Sequence, residues 1–139
     1  MQTITLSNIK EVLINNENPI EKSRVYGSNK KNEYRLLKSM TIELSNGEIH
    51  TISNGFKWDL ASVPSFLQGI IKPDSDAEIA FLIHDYLYVN KIVSQRFADH
   101  EMLKWERAVN GTLKWSFRNI DNYLRFWAVR CFGKRVWNN

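Results

Sequence analysis

A histidine, a tyrosine and two acidic residues have the spacing of a small catalytic cluster. His84, Asp85 and Tyr88 lie in the apolar segment Ala80–Tyr88, which has helical periodicity. His84 and Tyr88 are four residues apart and share one helix face, whereas Asp85 is turned by about 100°. Asp99 lies in the next helical segment. A histidine with a carboxylate partner is an arrangement found in catalytic triads, so these residues are a candidate functional site.

The linker between the two segments predicts that Asp99 faces His84. We expect the segments to form an antiparallel helical hairpin through Asn90–Val93, in which opposing residues are equidistant from the loop centre. The midpoint between His84 and Asp99 falls between Lys91 and Ile92, inside that loop. A carboxylate there could fix the imidazole tautomer and stabilise the imidazolium, as in a catalytic triad.

The same residues have a plainer interpretation. A histidine among apolar neighbours is more often a satisfied core residue than a catalyst, and Asp99 could simply pair with Arg96 on the surface. If the cluster is functional, Asp85 would bind a metal or another cation. The helical period assigns Asp99 to a common stripe with Arg96, His100 and Leu103.

The connection Asn54–Pro64 contains a charged residue in apolar company. Asp59 lies between Trp58 and Leu60, where a carboxylate is costly unless it binds something. Alternatively, Asp59 forms an Asx-turn with its own backbone, and the two interpretations are equally balanced. His50 and His100 have no metal-ligand spacing with a cysteine or another histidine, so no zinc site is predicted.

The N-terminal part predicts strands and turns. Tyr34–Leu44 alternates partially, with Met40, Ile42 and Leu44 on one face, and Asn46-Gly47 predicts a hairpin turn before a returning strand at Ile49–Ile52. Asn54-Gly55 ends that strand, and the stretch from Phe56 to Phe66 is expected to be irregular. Further strands are expected at Thr3–Leu6 and Glu11–Leu13.

Helices are expected after the strands. The first begins near Pro73–Asp76 and runs to about Tyr88, the second is capped by Ser94 and ends at Asn110-Gly111, and the third spans Leu113–Cys131. This order predicts an α+β fold, with a small antiparallel sheet of N-terminal hairpins packed beside a three-helix layer. We expect one domain over residues 1–139, with a β-rich part (1–57), a loop (58–75) and a helical part (76–133).

The composition is that of an ordinary globular chain. Of 139 residues, 43% are hydrophobic and 24% charged, and the single cysteine, Cys131, excludes an intrachain disulfide. The N-terminus does not resemble a secretory signal, and no apolar run is long enough to span a membrane. The net charge of +4 is mild, so we expect no nucleic-acid partner.

Three motifs together resemble a family found mainly in phages and prophages, known as domain of unknown function 1353. They are GFxxDLASVP at residues 55–64, HDxLY at 84–88 and RxxD at 96–99, and the resemblance covers about residues 50–133. It implies a phage-encoded protein without an established activity. We expect this protein in the host cytoplasm during infection, with the virion as the alternative location.

The helix pair is also similar, more distantly, to secreted phospholipase A2. That resemblance implies His84 as the base that activates water, Asp99 as the residue that orients it and Tyr88 as a brace for Asp99. Asp85 would be a calcium ligand, and Asp59 and Leu60 would stand in for the calcium loop. Carboxylate and carbonyl oxygens are the ligands that calcium prefers.

The C-terminal segment is basic and aromatic. Its apolar stripe is expected to face the core, but its arginine, tyrosine and tryptophan residues would also suit a lipid or membrane surface.

The leading hypothesis is a phage-encoded hydrolase acting on an ester or acyl bond, with lipid as the first substrate. The alternative is a non-enzymatic virion or host-factor-binding protein, partnered by other phage or host proteins, in which these residues are structural.

Overall fold

The computed structural model describes residues 2–15, 17–27, 33–58 and 78–110. The chain divides into two compact units, Met1–Asp59 and Leu60–Asn139. The strands lie in the first and the two longer helices in the second, so the α+β prediction is confirmed. The predicted helix Leu113–Cys131 lies outside the described residues. The elements are β1 (Thr3–Ile4), α1 (Ile9–Ile14), β2 (Lys22–Arg24), β3 (Tyr34–Leu36), β4 (Met40–Glu43), β5 (Ile49–Ile52), β6 (Lys57–Trp58), α2 (Glu78–Asn90) and α3 (Gln95–Asn110).

The first sheet has the strand order β1-β4-β5 and contains the predicted hairpin. β4 and β5 are antiparallel, with Met40 opposite Ile52, whereas β1 pairs with β4 in parallel. This sheet is therefore mixed, whereas the sequence predicts an antiparallel one. Met40, Ile42 and Leu44 are all buried, as their alternation predicts, and they form part of the core of this unit.

The hairpin turn depends on Gly47. The N–H of Leu44 donates to the carbonyl of Glu48 at 2.8 Å, and the N–H of Gly47 donates to the carbonyl of Leu44 at 2.9 Å. Gly47 has a φ of 90°, a left-handed value that is sterically cheap for glycine, which explains the Asn46-Gly47 signal. Gly55, with a φ of 95°, has the corresponding role after β5.

The second sheet, β2-β3-β6, shows two differences from the sequence prediction. Tyr34–Leu44 is not one strand, because β3 belongs to this sheet and β4 to the other. Lys57–Trp58 was expected to be irregular but pairs with β3, where Trp58 lies opposite Tyr34. The two rings are 6.0 Å apart and both are buried, so hydrophobic contact with β3 accounts for a strand too short to recognise by periodicity.

The segment Glu11–Leu13 is helical, so the strand expected there is wrong. It belongs to α1, in which Ile9 and Val12 are buried. Three-residue spacing brings those two side chains to the same face of a helix but to opposite faces of a strand. Burial of both residues in one core therefore favours the helix.

In the second unit, α2 and α3 pack against each other as the predicted hairpin. The chain leaves α2 at Lys91, whose φ of 51° is left-handed and ends the helix. α3 then begins with the predicted cap, because the N–H of Phe97 donates to the Ser94 hydroxyl at 3.0 Å. α2 is apolar and buried over most of its circumference, as expected of a helix that lies in a core.

Candidate functional site

His84 and Asp99 form a buried hydrogen-bonded pair between α2 and α3. The Nε2 atom of His84 lies 2.8 Å from Oδ1 of Asp99, so the predicted proximity is confirmed. The side chains are 1% and 0% exposed, respectively. In so apolar an environment the pair experiences a low local dielectric, and its electrostatic interaction is stronger than at the surface.

Tyr88 contacts both members of the pair. Its hydroxyl donates to the same Oδ1 atom of Asp99 at 2.6 Å, a short bond typical of a donor facing a charged acceptor. Its ring lies 4.1 Å from the His84 ring, centre to centre, which follows from their spacing of one helical turn. The bracing of Asp99 by Tyr88, which the phospholipase resemblance implies, therefore has a direct geometric counterpart.

Gln95 extends this network and was not predicted. Its Nε2 atom donates to the Tyr88 hydroxyl at 3.3 Å. Gln95 precedes Asp99 by one helical turn, just as His84 precedes Tyr88. Tyr88 and Gln95 have the same midpoint in the sequence as His84 and Asp99. The loop-midpoint rule that predicts the contact of His84 with Asp99 therefore also predicts that Gln95 faces Tyr88.

The second nitrogen of His84 faces Asp85. Nδ1 lies 3.9 Å from Oδ1 of Asp85, an ion-pair distance for a protonated ring but too long for a direct hydrogen bond. Burial by itself lowers the pKa of His84, but the carboxylates of Asp85 and Asp99 outweigh it and raise that pKa above its usual value. The network assigns the Nε2 proton to the bond with Asp99, which leaves Nδ1 as the basic nitrogen of the neutral ring.

The alternative pairing of Asp99 with Arg96 on the surface does not fit the structure. Arg96 and His100 are exposed, whereas Asp99 and Leu103 are buried, so the stripe that these four residues share lies partly in the core and partly in solvent. The boundary between the core face and the solvent face of α3 passes between these residues. The basic side chains Arg96, His100, Lys104 and Arg107 mark its exposed or partly exposed side.

The proposed calcium ligands are only partly described. The Asp85 side chain is 14% exposed and offers carboxylate oxygens beside His84. Asp59 and Leu60, which the resemblance implies in place of the calcium loop, lie outside the described residues. Within the described ranges no group of three or more histidine, cysteine, aspartate or glutamate residues could hold a metal ion. Within those ranges, likewise, no helix is long and apolar enough to cross a membrane.

The comparisons with known proteins identify a family without a defined activity. No curated protein and no solved structure is significantly similar to this chain. The family described as "Protein of unknown function (DUF1353)" matches residues 34–116. The resemblance seen in the motifs covers about residues 50–133, so the matched range begins and ends earlier in the sequence. The match covers more than half of the chain and includes β3–β6 and the helix pair with His84 and Asp99. The chain therefore belongs to this family of proteins of unknown function.

Proposed function

We propose that the protein is a hydrolase in which His84 activates water for attack on an ester or acyl bond, in the manner of phospholipase A2. The observation that carries the proposal is the double hydrogen bond to Asp99. His84 Nε2 and the Tyr88 hydroxyl both contact the same carboxylate oxygen, at 2.8 and 2.6 Å. This arrangement holds the ring so that Nδ1 faces Asp85, and it stabilises the positive charge that the ring acquires on taking a proton.

In the proposed reaction, Nδ1 of His84 removes a proton from water while the water oxygen bonds to the carbonyl carbon of the substrate. The carbon–oxygen bond to the leaving group then breaks, and Nδ1 returns the proton to the departing oxygen. The products are an acid and an alcohol, and the imidazole is regenerated. Throughout, Asp99 remains ionised and accepts hydrogen bonds from His84 and Tyr88.

Asp85 is the residue through which calcium would assist. It supplies carboxylate oxygens next to the reacting nitrogen, and Asp59 and the carbonyl of Leu60 are the further ligands implied by the resemblance. This set of oxygen donors suits calcium, which when bound would stabilise negative charge on the carbonyl oxygen of the substrate. Calcium is scarce in bacterial cytoplasm, so a calcium-dependent activity would operate at host lysis or outside the cell.

The test is hydrolysis of vesicles made of phosphatidylcholine and phosphatidylglycerol, with calcium and with chelator. His84→Gln should lower the rate by about 10²–10⁴-fold, and Asp99→Asn should also lower it because the amide can hold the wrong tautomer. Asp85→Asn should abolish the stimulation by calcium. His50→Gln is the matched control, because His50 is a partly exposed residue of β5 in the other unit, and it should leave the rate unchanged.

A non-enzymatic role is the second candidate, and burial of the cluster favours it. His84 and Asp99 are at most 1% exposed, as expected of a polar pair that fixes the register of two helices. On this hypothesis the wild-type protein releases no fatty acid in either condition. His84→Gln and Asp99→Asn then lower only the melting temperature, and the hydrolase proposal is abandoned.

We also propose a phage origin, on the strength of the motif resemblance and the family match at residues 34–116. The protein would be made in the host cytoplasm and would contact lipid, or another phage or host protein, through the basic aromatic segment 113–131. Mass spectrometry of purified particles from an induced lysogen would detect it if it is a virion component. Vesicle flotation, with the chain truncated after residue 112 as the comparison, would test the lipid contact.

A further inference from the structure

The polarity of the hydrogen-bond chain between α2 and α3 can be assigned from donor and acceptor capacity alone. The amide nitrogen of Gln95 can only donate, so the Tyr88 oxygen accepts at 3.3 Å. The single proton of Tyr88 is then directed to Asp99, whose oxygen lies 2.6 Å away. Asp99 receives this proton and that of His84 Nε2 on one oxygen. Each of these three hydrogen bonds is therefore donated in the direction of Asp99.

We propose that Gln95 is a positioning residue that acts through Tyr88 and Asp99 on His84. By donating to the Tyr88 oxygen, its amide polarises the Tyr88 hydroxyl and strengthens the hydrogen bond that this hydroxyl donates to Asp99. Tyr88 and His84 share the Oδ1 atom of Asp99, so the strength of the Tyr88 bond affects how strongly this oxygen attracts the His84 Nε2 proton. As a role in catalysis this inference rests on the proposed function; as an assignment of hydrogen bonds it can be tested without substrate.

The position of Gln95 suits this role, and its side chain does not provide the cap of α3. It is the first residue of α3, where the cap is provided by Ser94 through its bond to the N–H of Phe97. The side chain is partly buried, so its contact with Tyr88 is shielded from bulk water. A substitution at Gln95 can therefore change the polarity of the chain without removing the cap.

The experiment follows the His84 Nε2 proton by imidazole-detected ¹H–¹⁵N NMR at pH 8 in chelator, with His84→Gln used to assign the signal. In Gln95→Glu, the introduced carboxylate is an acceptor only and competes with Asp99 for the Tyr88 proton. The Oδ1 atom of Asp99 then attracts the His84 Nε2 proton more strongly, so this proton should move downfield. Tyr88→Phe, which removes the same donor, should shift it in the same direction.

Two controls distinguish an effect of Gln95 that passes through Tyr88 from a change in side-chain packing and from the direct effect of an added negative charge. Gln95→Met keeps the side-chain volume and adds no acceptor, so the shift should be smaller than in Gln95→Glu. Combining Gln95→Glu with Tyr88→Phe should add no shift beyond that of Tyr88→Phe alone. If Gln95→Glu leaves the proton unmoved, or moves it equally in the Tyr88→Phe background, the inference is overturned. If hydrolysis is found, Gln95→Glu should lower kcat several-fold with little change in KM, whereas a protein without hydrolysis still gives the NMR result.

Discussion

The two units each contain a histidine–carboxylate pair, and the two pairs have similar distances but very different surroundings. In the first unit, Nε2 of His50 lies 3.1 Å from Glu48, and the side chains are 19% and 52% exposed. In the second, Nε2 of His84 lies 2.8 Å from Asp99, and the exposed fractions are 1% and 0%. Water screens the first pair but hardly reaches the second, so burial distinguishes them more than distance does.

The two pairs also differ in how the chain brings them together. Glu48 and His50 are two residues apart beside one turn, so their contact is local and needs no tertiary structure. His84 and Asp99 are fifteen residues apart, and their contact requires both helices and the loop between them. The packed hairpin orders the second pair in advance, which is the condition for a group that must act in one fixed geometry.

The largest difference between the pairs is expected when each loses its carboxylate. Asp99→Ala should lower the free energy of unfolding by about 3–5 kcal/mol, because it leaves the buried polar groups of His84 and Tyr88 without their acceptor. Glu48→Ala should lower it by only about 0–1 kcal/mol. Urea denaturation of both variants measures the contrast. Equal losses of unfolding free energy would mean that water enters the space left by the carboxylate and bonds to His84 and Tyr88. Burial would then not distinguish the two pairs.

A smaller effect is expected from removing one hydroxyl of the buried network. Tyr88→Phe should cost about 1 kcal/mol, since it removes one donor from Asp99 and keeps the ring beside His84. Tyr26→Phe is the matched control, because Tyr26 is 87% exposed and its hydroxyl is hydrated in both states. Thermal and urea unfolding of both variants would test this. A loss at Tyr88 no greater than at Tyr26 would show that its short bond to Asp99 contributes nothing net.

The parts of the structure that could be predicted are those specified by short-range patterns. Asn46-Gly47 predicts the hairpin because a left-handed residue is needed at that turn, and Ser94 predicts the start of α3 because its hydroxyl accepts a backbone N–H. The contact of His84 with Asp99 was predictable because the loop is short and the two helices are regular. Geometry alone then fixes which residues face each other.

The parts that could not be predicted depend on tertiary packing. The alternation over Tyr34–Leu44 does not reveal that β3 and β4 belong to different sheets, since each strand keeps the same period. Lys57–Trp58 and the segment Glu11–Leu13 are too short for periodicity to decide between strand and other structures. Periodicity within α3 assigns Arg96 and Asp99 to one stripe, but it does not show that Asp99 is buried and Arg96 exposed, because that depends on how α2 packs against α3.

The effect of pH should be the smallest contrast, because titration changes one ring proton and no heavy atom. The pKa of His84 in the folded protein is raised above its usual value, with Asp85 and Asp99 outweighing the opposing effect of burial. Below about pH 6.5 the ring is protonated in both the folded and unfolded states, and the stabilisation by the two carboxylates is fully present. As pH rises from there through the raised pKa, the folded state holds a proton that the unfolded state has lost. The free energy of unfolding should therefore fall across that window.

Denaturation of the wild-type protein and His84→Gln from pH 6 to 9, in chelator, measures this contribution as the difference between the two curves. His50→Gln serves as the control for a histidine substitution in the exposed pair. Parallel curves for wild type and His84→Gln would mean that His84 carries no stabilising charge. If the protein is a hydrolase, its rate should rise over the same window in which stability falls, because the proton that stabilises the folded state also occupies the base.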